Sequence, residues 1–296
     1  MGAAGHALAA ARGRSRAGRG RGYPARVITN AGTDAEVAVA AASAGAAVVR
    51  GMFGSALARF GKSGGDFATA ADLEAERAII EVIRAARPAD AVTGEENGST
   101  GPDGAERRWL VDPLCGTLNY AARSMLAAVN VALRAGPGII AAACTDPFSG
   151  EVFWTDGTHA CLRGGGADAN LTPSPESGLV DVNLDPPFPN APGFRAARLL
   201  AGKAFTERFR PRVVSTTLAV AWVAAGRRAA YVTDGHLLDS VHFSSGIALC
   251  QAAGCVVTGI YGQPLHTGAG GLIAAADHRT HAALLEMIRN QAPPCR

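Results

Sequence analysis

The sequence predicts an α/β protein in which helices and two β-sheets form a layered α/β/α/β/α sandwich. Three observations lead to this prediction. Apolar segments with helical periodicity alternate with short apolar segments typical of strands. Three consecutive strand-like segments between residues 129 and 154 are joined by turns that contain Gly and Pro. A proline-rich segment at 185–192 then interrupts the chain and indicates a boundary between two lobes.

The composition excludes some classes of function. The chain has 296 residues, is 48% apolar and carries a formal net charge of +3. Six arginines precede the first acid, Asp34, so the remainder carries +3 − 6 = −3 and has no basic patch of the kind that binds nucleic acid. No apolar window looks long enough to cross a bilayer, and we expect a soluble protein without a membrane partner.

The cysteines indicate a reducing compartment. There are six, at positions 115, 144, 161, 250, 255 and 295, and none form a Cys-x-x-Cys pair. Scattered cysteines in a chain of this length are typical of reduced thiols in an intracellular protein rather than of a disulfide framework. We therefore expect a cytoplasmic location.

The chain divides into a tail and two lobes. Residues 1–30 are rich in Gly, Ala and Arg with little apolar periodicity, so we expect a disordered tail. Residues 31–185 are expected to form an N-terminal α+β lobe that carries the polar motifs. Residues 186–296 are expected to form a C-terminal α/β lobe.

The first lobe is expected to contain two helices and several strands. A long Ala- and Val-rich helix is predicted over 34–60, and a second helix over 72–86 buries Ile79, Ile80 and Ile83. Segment 160–175 is expected to be mostly loop, with one short strand at most. The expected strands are 91–93, 108–111, 129–133, 139–144, 151–154 and 180–184.

The second lobe repeats the alternation of helices and strands. Helices are predicted over 194–202, after residue 217, over 244–253 and over 278–290. Strands are predicted over 230–232, 255–258 and 272–276.

One polar motif stands at the end of a predicted strand. The strand 108–111 leads into Asp112-Pro-Leu-Cys-Gly-Thr-Leu-Asn-Tyr120, in which Gly116 allows the backbone to turn sharply. The Asp112 carboxylate, a backbone carbonyl and the Thr117 hydroxyl are therefore expected in one small volume. Hard divalent cations bind oxygen clusters of this kind. A second acidic turn, Gly94-Glu95-Glu96-Asn97-Gly98, follows the predicted strand 91–93.

This pair of motifs resembles the inositol monophosphatase family of magnesium-dependent sugar and inositol phosphatases. The family pattern is Gly-Glu-Glu followed by Asp-Pro-(Ile/Leu)-Asp-Gly-Thr-x-Asn-(Phe/Tyr). The resemblance covers roughly residues 35–290 and implies the layered sandwich, a phosphomonoesterase activity on a small phosphorylated metabolite, and a homodimer.

The resemblance also implies roles for individual residues. Glu95, Asp112 and the Leu114 carbonyl match a first Mg²⁺ site, and Thr117 with Glu95 matches the pair that activates water. The backbone of Gly116 and Thr117 matches the phosphate cradle. Further implied positions are Asp72 near a loosely held third metal, Lys62 in a mobile loop, and Asp234 or Asp239 at the substrate hydroxyls. Independently of the resemblance, the place of Asp72 at the start of a predicted helix indicates a helix N-cap, and both roles are compatible.

Two residues depart from the family pattern at its second metal site. Cys115 stands where the family has an Asp in the central motif, and His242 stands where it has another. Thiol and imidazole are poor ligands for Mg²⁺. One expectation is a slower phosphatase that uses Mg²⁺ weakly at one site. A second is a site for Zn²⁺ or another transition metal at Asp112, Cys115 and His242.

The third expectation is that the fold no longer performs two-metal hydrolysis. The chain would then be a cyclase or lyase acting on a phosphate or diphosphate metabolite, or a phosphate-binding pseudoenzyme that serves a partner protein. Because Glu95, Asp72, Asp112, Thr117 and Asn119 are retained, we favour a catalyst or ligand binder with altered chemistry over an inert relative.

Overall fold

The computed structural model describes residues 32–56, 58–61, 67–102, 104–184, 196–235, 237–266 and 270–290. The helices within these residues are α1 (Asp34–Met52), α2 (Ala70–Ala86), α3 (Thr117–Ala121), α4 (Ala196–Ala201), α5 (Lys203–Arg208), α6 (Leu218–Ala224), α7 (Ser244–Ala252) and α8 (His278–Arg289). The strands are β1 (Arg59–Gly61), β2 (Phe67–Thr69), β3 (Ala91–Gly94), β4 (Gly98–Thr100), β5 (Arg107–Cys115), β6 (Ala128–Ala135), β7 (Gly138–Thr145), β8 (Val152–Thr155), β9 (Ala160–Gly164), β10 (Ala167–Asn170), β11 (Leu179–Val182), β12 (Arg210–Val213), β13 (Ala230–Thr233), β14 (Val256–Thr258) and β15 (Leu272–Ala275).

The elements form the predicted layers. The large sheet has the strand order β10-β9-β8-β7-β6-β5-β3-β4, and the second sheet has the order β12-β11-β13-β15-β14. Helices α1 and α2 pack on the outer face of the large sheet, α6 and α7 lie between the two sheets, and α5 and α8 pack on the second sheet. The α/β/α/β/α sandwich is therefore confirmed. It follows from amphipathic helices that each bury one apolar stripe against a sheet.

Helix α1 is a core helix. Thr33 and Glu36 form a capping box at its start, and Val37, Ala38 and Ala41 on one face are fully buried. The helix ends at Met52 instead of residue 60, because the chain turns at Gly54 (φ 79°) before β1 pairs with β2. By length and a mean hydropathy of 1.3, α1 passes as a possible membrane span, contrary to the sequence expectation, but half of that apolar window is buried inside the protein.

The region 160–175 was wrongly expected to be mostly loop. It contains the antiparallel pair β9–β10, which is closed by Gly165 and Gly166 at φ 61° and 90°. A two-residue hairpin turn with positive φ at both positions matches the right-handed twist of the strands that it joins. Gly adopts a positive φ without strain. The Gly-Gly pair was therefore a hairpin signal that the low apolar content of β10 obscured.

The sheet order assigns strand β11 to the second sheet. Strand β11 was expected in the first lobe, yet it pairs in parallel with β12 and β13 of the second sheet. Strand β12 itself was not expected. The division at 185/186 stays a prediction, since those residues, like Lys62 and the tail at 1–30, lie outside the described part of the chain.

An ion pair joins the large sheet to the α6–β13 connection. The Arg227 guanidinium donates to both carboxylate oxygens of Glu151 at 2.6 and 2.7 Å. These hydrogen bonds lower the pKa of Glu151 below its ordinary value of 4.5. A carboxyl whose pKa is lowered by folding stabilises the folded state above its unfolded pKa, and this stabilisation is lost as the pH falls through the folded pKa.

We expect Glu151→Gln to lower the free energy of unfolding at pH 7 by about 1 kcal/mol, because the pair is bidentate but partly exposed. The difference in the free energy of unfolding between native protein and variant should shrink as the pH falls below 4.5 and through the lowered pKa of Glu151 in the folded state. Urea unfolding at a series of pH values measures it. Glu207→Gln, which breaks the exposed pair with Lys203, is the control and should change little. A gap that stays constant with pH would contradict this account of Glu151.

Candidate functional site

The site begins at the end of β5, where Asp112 is completely buried. Its Oδ1 accepts the backbone N–H of Leu114 at 3.1 Å. The strand was expected to end at Val111, but it continues to Cys115 with a bulge, because Asp112 pairs with Asn130 and Cys115 pairs with Ala128. A bulge bends a strand locally and re-aims its side chains and carbonyls. Here it brings the Leu114 carbonyl into hydrogen-bonding reach of Thr117.

Gly116 follows the bulge and starts helix α3. It adopts φ 97°, a left-handed conformation that favours glycine. A Cβ at this position would lie 2.6 Å from the Leu126 carbonyl oxygen and 3.3 Å from that of Ser215. The Asn119 side chain donates to the same two oxygens, at 3.0 and 2.8 Å. The turn is therefore held by close backbone contact that only glycine permits.

We expect Gly116→Ala to lower the free energy of unfolding by about 2–4 kcal/mol, since it adds a steric clash to the cost of a left-handed alanine. Gly136→Ala is the matched control, because Gly136 has φ 61° but a Cβ there would meet nothing within 4 Å. The control should cost only about 1 kcal/mol. Urea denaturation of both variants measures the difference, and equal losses would contradict the proposed clash.

Thr117 and Asp72 meet beside this turn. The Thr117 hydroxyl lies 3.1 Å from Asp72 Oδ1 and 3.1 Å from the Leu114 carbonyl, and can donate to either. Asp72 is completely buried, and its other oxygen accepts the backbone N–H and the hydroxyl of Thr69 at 2.8 and 2.6 Å. Burial raises the pKa of Asp72, against the opposing effect of these hydrogen bonds. The N-cap of α2 is Thr69 and not Asp72, which is the third residue of the helix.

Glu95 approaches from the neighbouring strand. Its backbone N–H donates to the Val111 carbonyl at 3.0 Å, directly after the parallel pair β3–β5. Because the carboxyl ends of parallel strands lie at one edge of a sheet, Glu95 and Asp112 are brought to the same side. The two carboxylates also share a neighbour, since His242 Nδ1 lies 2.8 Å from Asp112 Oδ2 and 4.0 Å from Glu95 Oε2.

Cys115 and His242 complete this cluster. One ligand atom from each of Asp112, Cys115 and His242 lies within 4.8 Å of the others. The Cys115 sulfur accepts the backbone N–H of Thr217 at 3.3 Å. Burial, and to a lesser extent the charge of Asp112, raises the pKa of Cys115 well above its ordinary value, so the thiol is neutral at pH 7. Residues 130 positions apart in sequence thus form one site.

Sequence reasoning missed a buried polar network behind Asp112. The Asn130 amide donates to Thr217 Oγ1 at 2.7 Å and to Asp112 Oδ2 at 3.4 Å, while its oxygen accepts the Ser245 hydroxyl at 2.7 Å. Asn130 and Ser245 are completely buried. A single amide inside the apolar strand Ala128–Ala135 was the available signal, because a buried polar side chain needs hydrogen-bond partners.

The two acids considered for substrate recognition differ in position. Asp234 directly follows β13 and is 1% exposed. The Asp239 side chain is 41% exposed and pairs with Arg134 at 3.3 Å. A role in binding substrate hydroxyls stays a prediction for Asp234, and the ion pair gives Asp239 a different partner.

The donor atoms around Asp112 fall into two sets that suit different metals. Glu95, Asp112 and the Leu114 carbonyl are hard oxygen donors and fit Mg²⁺. Cys115 and His242 are soft or intermediate donors, which with Asp112 fit Zn²⁺ or a similar ion better than Mg²⁺. Asp112 belongs to both sets. Hard oxygen donors and softer donors therefore meet at Asp112.

Comparisons with known proteins identify the family of this chain. The family model described as "Inositol monophosphatase family" matches residues 32–292. The inositol-1-monophosphatase of Caulobacter vibrioides is 32% identical over 236 residues, which cover 77% of this chain and 89% of that protein. The inositol-1-monophosphatase ImpA of Mycolicibacterium smegmatis is 30% identical over 250 residues, which cover 79% and 84%.

Solved structures show the same fold. The extragenic suppressor protein SuhB of Bartonella henselae superposes with a TM-score of 0.77 at 23% identity, covering 87% of this chain and 98% of that one. The inositol monophosphatase of Anabaena sp. PCC 7120 gives a TM-score of 0.72 at 25% identity, with coverage of 88% and 96%.

Proposed function

We propose, since this chain belongs to the inositol monophosphatase family, that it hydrolyses the phosphate monoester of a small metabolite with an altered metal dependence. The observation that carries the proposal is that Glu95 and Asp112 share His242 as a neighbour, while Leu114 links Asp112 to the Thr117–Asp72 pair through its N–H and its carbonyl. Such a cluster combines hard ligands with a positioned hydroxyl, which is what metal-assisted attack of water on phosphorus requires.

Glu95, Asp112 and the Leu114 carbonyl would hold the Mg²⁺ that is typical of the family. A bound Mg²⁺ lowers the pKa of water and offsets the charge that develops on a phosphoryl group. Losing the second cation of a two-metal site should make this hydrolysis slow and its Mg²⁺ requirement high, since each ~1.4 kcal/mol of lost stabilisation is tenfold in rate.

The chain's own groups would perform three tasks. Thr117, when it donates to Asp72, has lone pairs free to accept a hydrogen bond from water, and Glu95 would accept the proton. The backbone N–H groups of Gly116 and Thr117 would bind the phosphate oxygens at the tight turn. Asp234 would accept hydrogen bonds from hydroxyl groups on the alcohol part of the phosphate ester.

Cys115 and His242 would account for the altered metal dependence. With Asp112 they offer one carboxylate, one thiol and one imidazole, a donor set that suits Zn²⁺ or another transition metal. The thiol must lose its proton to bind a metal, so occupation of this set should release a proton.

A second candidate function is favoured by the same two residues. His242 already contacts Asp112 at 2.8 Å, and the neutral Cys115 thiol already accepts the Thr217 N–H. If these contacts take the place of a second metal, the site would bind a phosphate or diphosphate metabolite without hydrolysing it. The protein would then be a cyclase, a lyase or a phosphate-binding pseudoenzyme.

We further propose a homodimer in the cytoplasm that binds neither nucleic acid nor a membrane. The five cysteines within the described residues are free thiols, as expected for a reducing compartment. Exposed apolar side chains on and after α3, Leu118 and Met125, are 55% and 61% exposed and would suit a subunit contact.

The test is release of inorganic phosphate from sugar, inositol and prenyl phosphates. Protein stripped with a chelator is assayed alone and after adding back Mg²⁺, Mn²⁺ or Zn²⁺. The phosphatase proposal predicts release that depends on the added metal. Binding of these esters without release under every metal would favour the second candidate instead.

A further inference from the structure

Glu76 on helix α2 is a completely buried glutamate with no part in the site described so far. It lies one helical turn after Asp72, so both carboxylates project from the same face of α2. Asp72 contacts Thr117, whereas Glu76 contacts the turn that carries Glu95. We propose that Glu76 is a positioning residue that fixes the direction of the Glu95 carboxylate and thereby sets the metal affinity of the first site. This inference rests on the proposed function.

The turn after β3 is folded around the Glu76 carboxylate. One oxygen accepts the backbone N–H of Glu96 at 2.8 Å. The other accepts the backbone N–H of Asn97 at 3.0 Å and the Asn97 side-chain amide at 2.6 Å. Both oxygens of the buried carboxylate are therefore satisfied, and hydrogen bonds to a charged acceptor are stronger than those to a neutral one.

The residues on either side fix Glu95 between two anchors. Its own N–H is bound to the Val111 carbonyl at 3.0 Å, and the next two N–H groups are bound to Glu76. Gly94 lies against the same carboxylate, since a Cβ there would be 2.5 Å from it. The backbone of Glu95 thus has little freedom, and its side chain reaches His242, whose Nδ1 lies 4.0 Å from Glu95 Oε2.

A glutamine could not replace Glu76 without loss. It has one acceptor oxygen instead of two, and its NH₂ group would face an N–H donor. One backbone N–H of the turn would then be left without an acceptor in a buried place, which costs about 1–3 kcal/mol. The turn would relieve this cost by moving, and Glu95 would move with it.

The experiment measures Mn²⁺ binding, by the electron paramagnetic resonance signal of free Mn²⁺, to the intact native protein and to Glu76→Gln. Partners that orient metal ligands typically change affinity by 10- to 100-fold, and we expect a loss in this range. Thermal unfolding of the metal-free proteins is recorded beside it.

Asp90→Asn is the matched control for a loss of stability alone. Asp90 is also buried, at 8% exposed, and accepts hydrogen bonds from Arg107 and Trp109 at 2.9 Å each. It precedes β3, at the end of the strand away from Glu95. We expect Asp90→Asn to lower the unfolding temperature while its Mn²⁺ affinity stays within twofold of native.

Three results would overturn the inference. Native-like Mn²⁺ affinity in folded Glu76→Gln removes the positioning role and leaves the proposed function intact. Equal losses of Mn²⁺ affinity in Glu76→Gln and Asp90→Asn would mean that Glu76 affects metal binding only through the stability of the fold. A native protein that binds no Mn²⁺ contradicts the first metal site itself, and the positioning role with it.

Gly94→Ala provides a second route if Glu76→Gln does not fold. The added methyl group would displace the Glu76 carboxylate without removing its charge. We expect the Mn²⁺ affinity of this variant to fall at least tenfold. An unchanged affinity would overturn the inference.

Discussion

Replacing both Cys115 and His242 with aspartate should raise Mg²⁺-dependent phosphate release by about 100-fold over the native protein. The replacement places two hard oxygen ligands beside Asp112, where thiol, imidazole and carboxylate now lie within 4.8 Å. Restoring a cation that stabilises the leaving alkoxide should recover several kcal/mol, and ~1.4 kcal/mol is tenfold in rate. The measurement is kcat at saturating Mg²⁺ for the native protein and the double variant.

A control variant tests whether the gain in rate comes from the two added carboxylates or only from loss of the contact between His242 and Asp112. The double variant Cys115→Ser, His242→Asn removes the thiol and imidazole without adding carboxylates, and it should remain near the native rate. An equal gain in both double variants would contradict the metal-ligand explanation. No gain in a correctly folded aspartate variant would contradict the claim that the rest of the pocket is intact.

Glu95→Gln should lower the metal-dependent rate by about 1000-fold or more. Glu95 is proposed both to hold the metal and to accept the proton of the attacking water, and a neutral amide does neither well. Its backbone hydrogen bond to Val111 does not involve the side chain, so the turn should keep its shape. The rate is measured on the best ester of the panel at saturating metal.

The adjacent Glu96→Gln is the matched control. It lies on the same turn, and its backbone N–H binds Glu76 whichever side chain it carries. It should keep at least a tenth of the native rate. If Glu95→Gln retained native activity, the observed hydrolysis would have to come from another site or from a contaminating phosphatase.

Local patterns predicted most of the secondary structure and the motif at the centre of the site. The strands of the meander, such as Ala128–Ala135 and Gly138–Thr145, are apolar and end at glycine or proline turns, which are signals contained within a few residues. Gly116 was identified as the turning point because a sharp reversal after a strand favours glycine. Its left-handed φ of 97° confirms that reasoning.

The remaining features depend on contacts between distant residues. Glu76 contacts the turn twenty residues later, and Asn130 contacts Thr217 and Ser245 from other elements. Periodicity places such residues on a buried face but does not identify their partners. The bulge between Asp112 and Cys115 is likewise set by pairing with β6, which explains why the strand extends beyond its predicted end.

Glu95, Asp112 and the Leu114 carbonyl are proposed to form a site for a hard cation, and Asp112, Cys115 and His242 a site for a softer one. Anomalous diffraction from crystals of the protein soaked in Mn²⁺, and separately in Zn²⁺, locates each ion directly. This assignment of the two sites predicts one Mn²⁺ bound by Glu95, Asp112 and the Leu114 carbonyl, and a Zn²⁺ bound by Asp112, Cys115 and His242. A second Mn²⁺ ligated by Cys115, or no Mn²⁺ at Glu95, would contradict it.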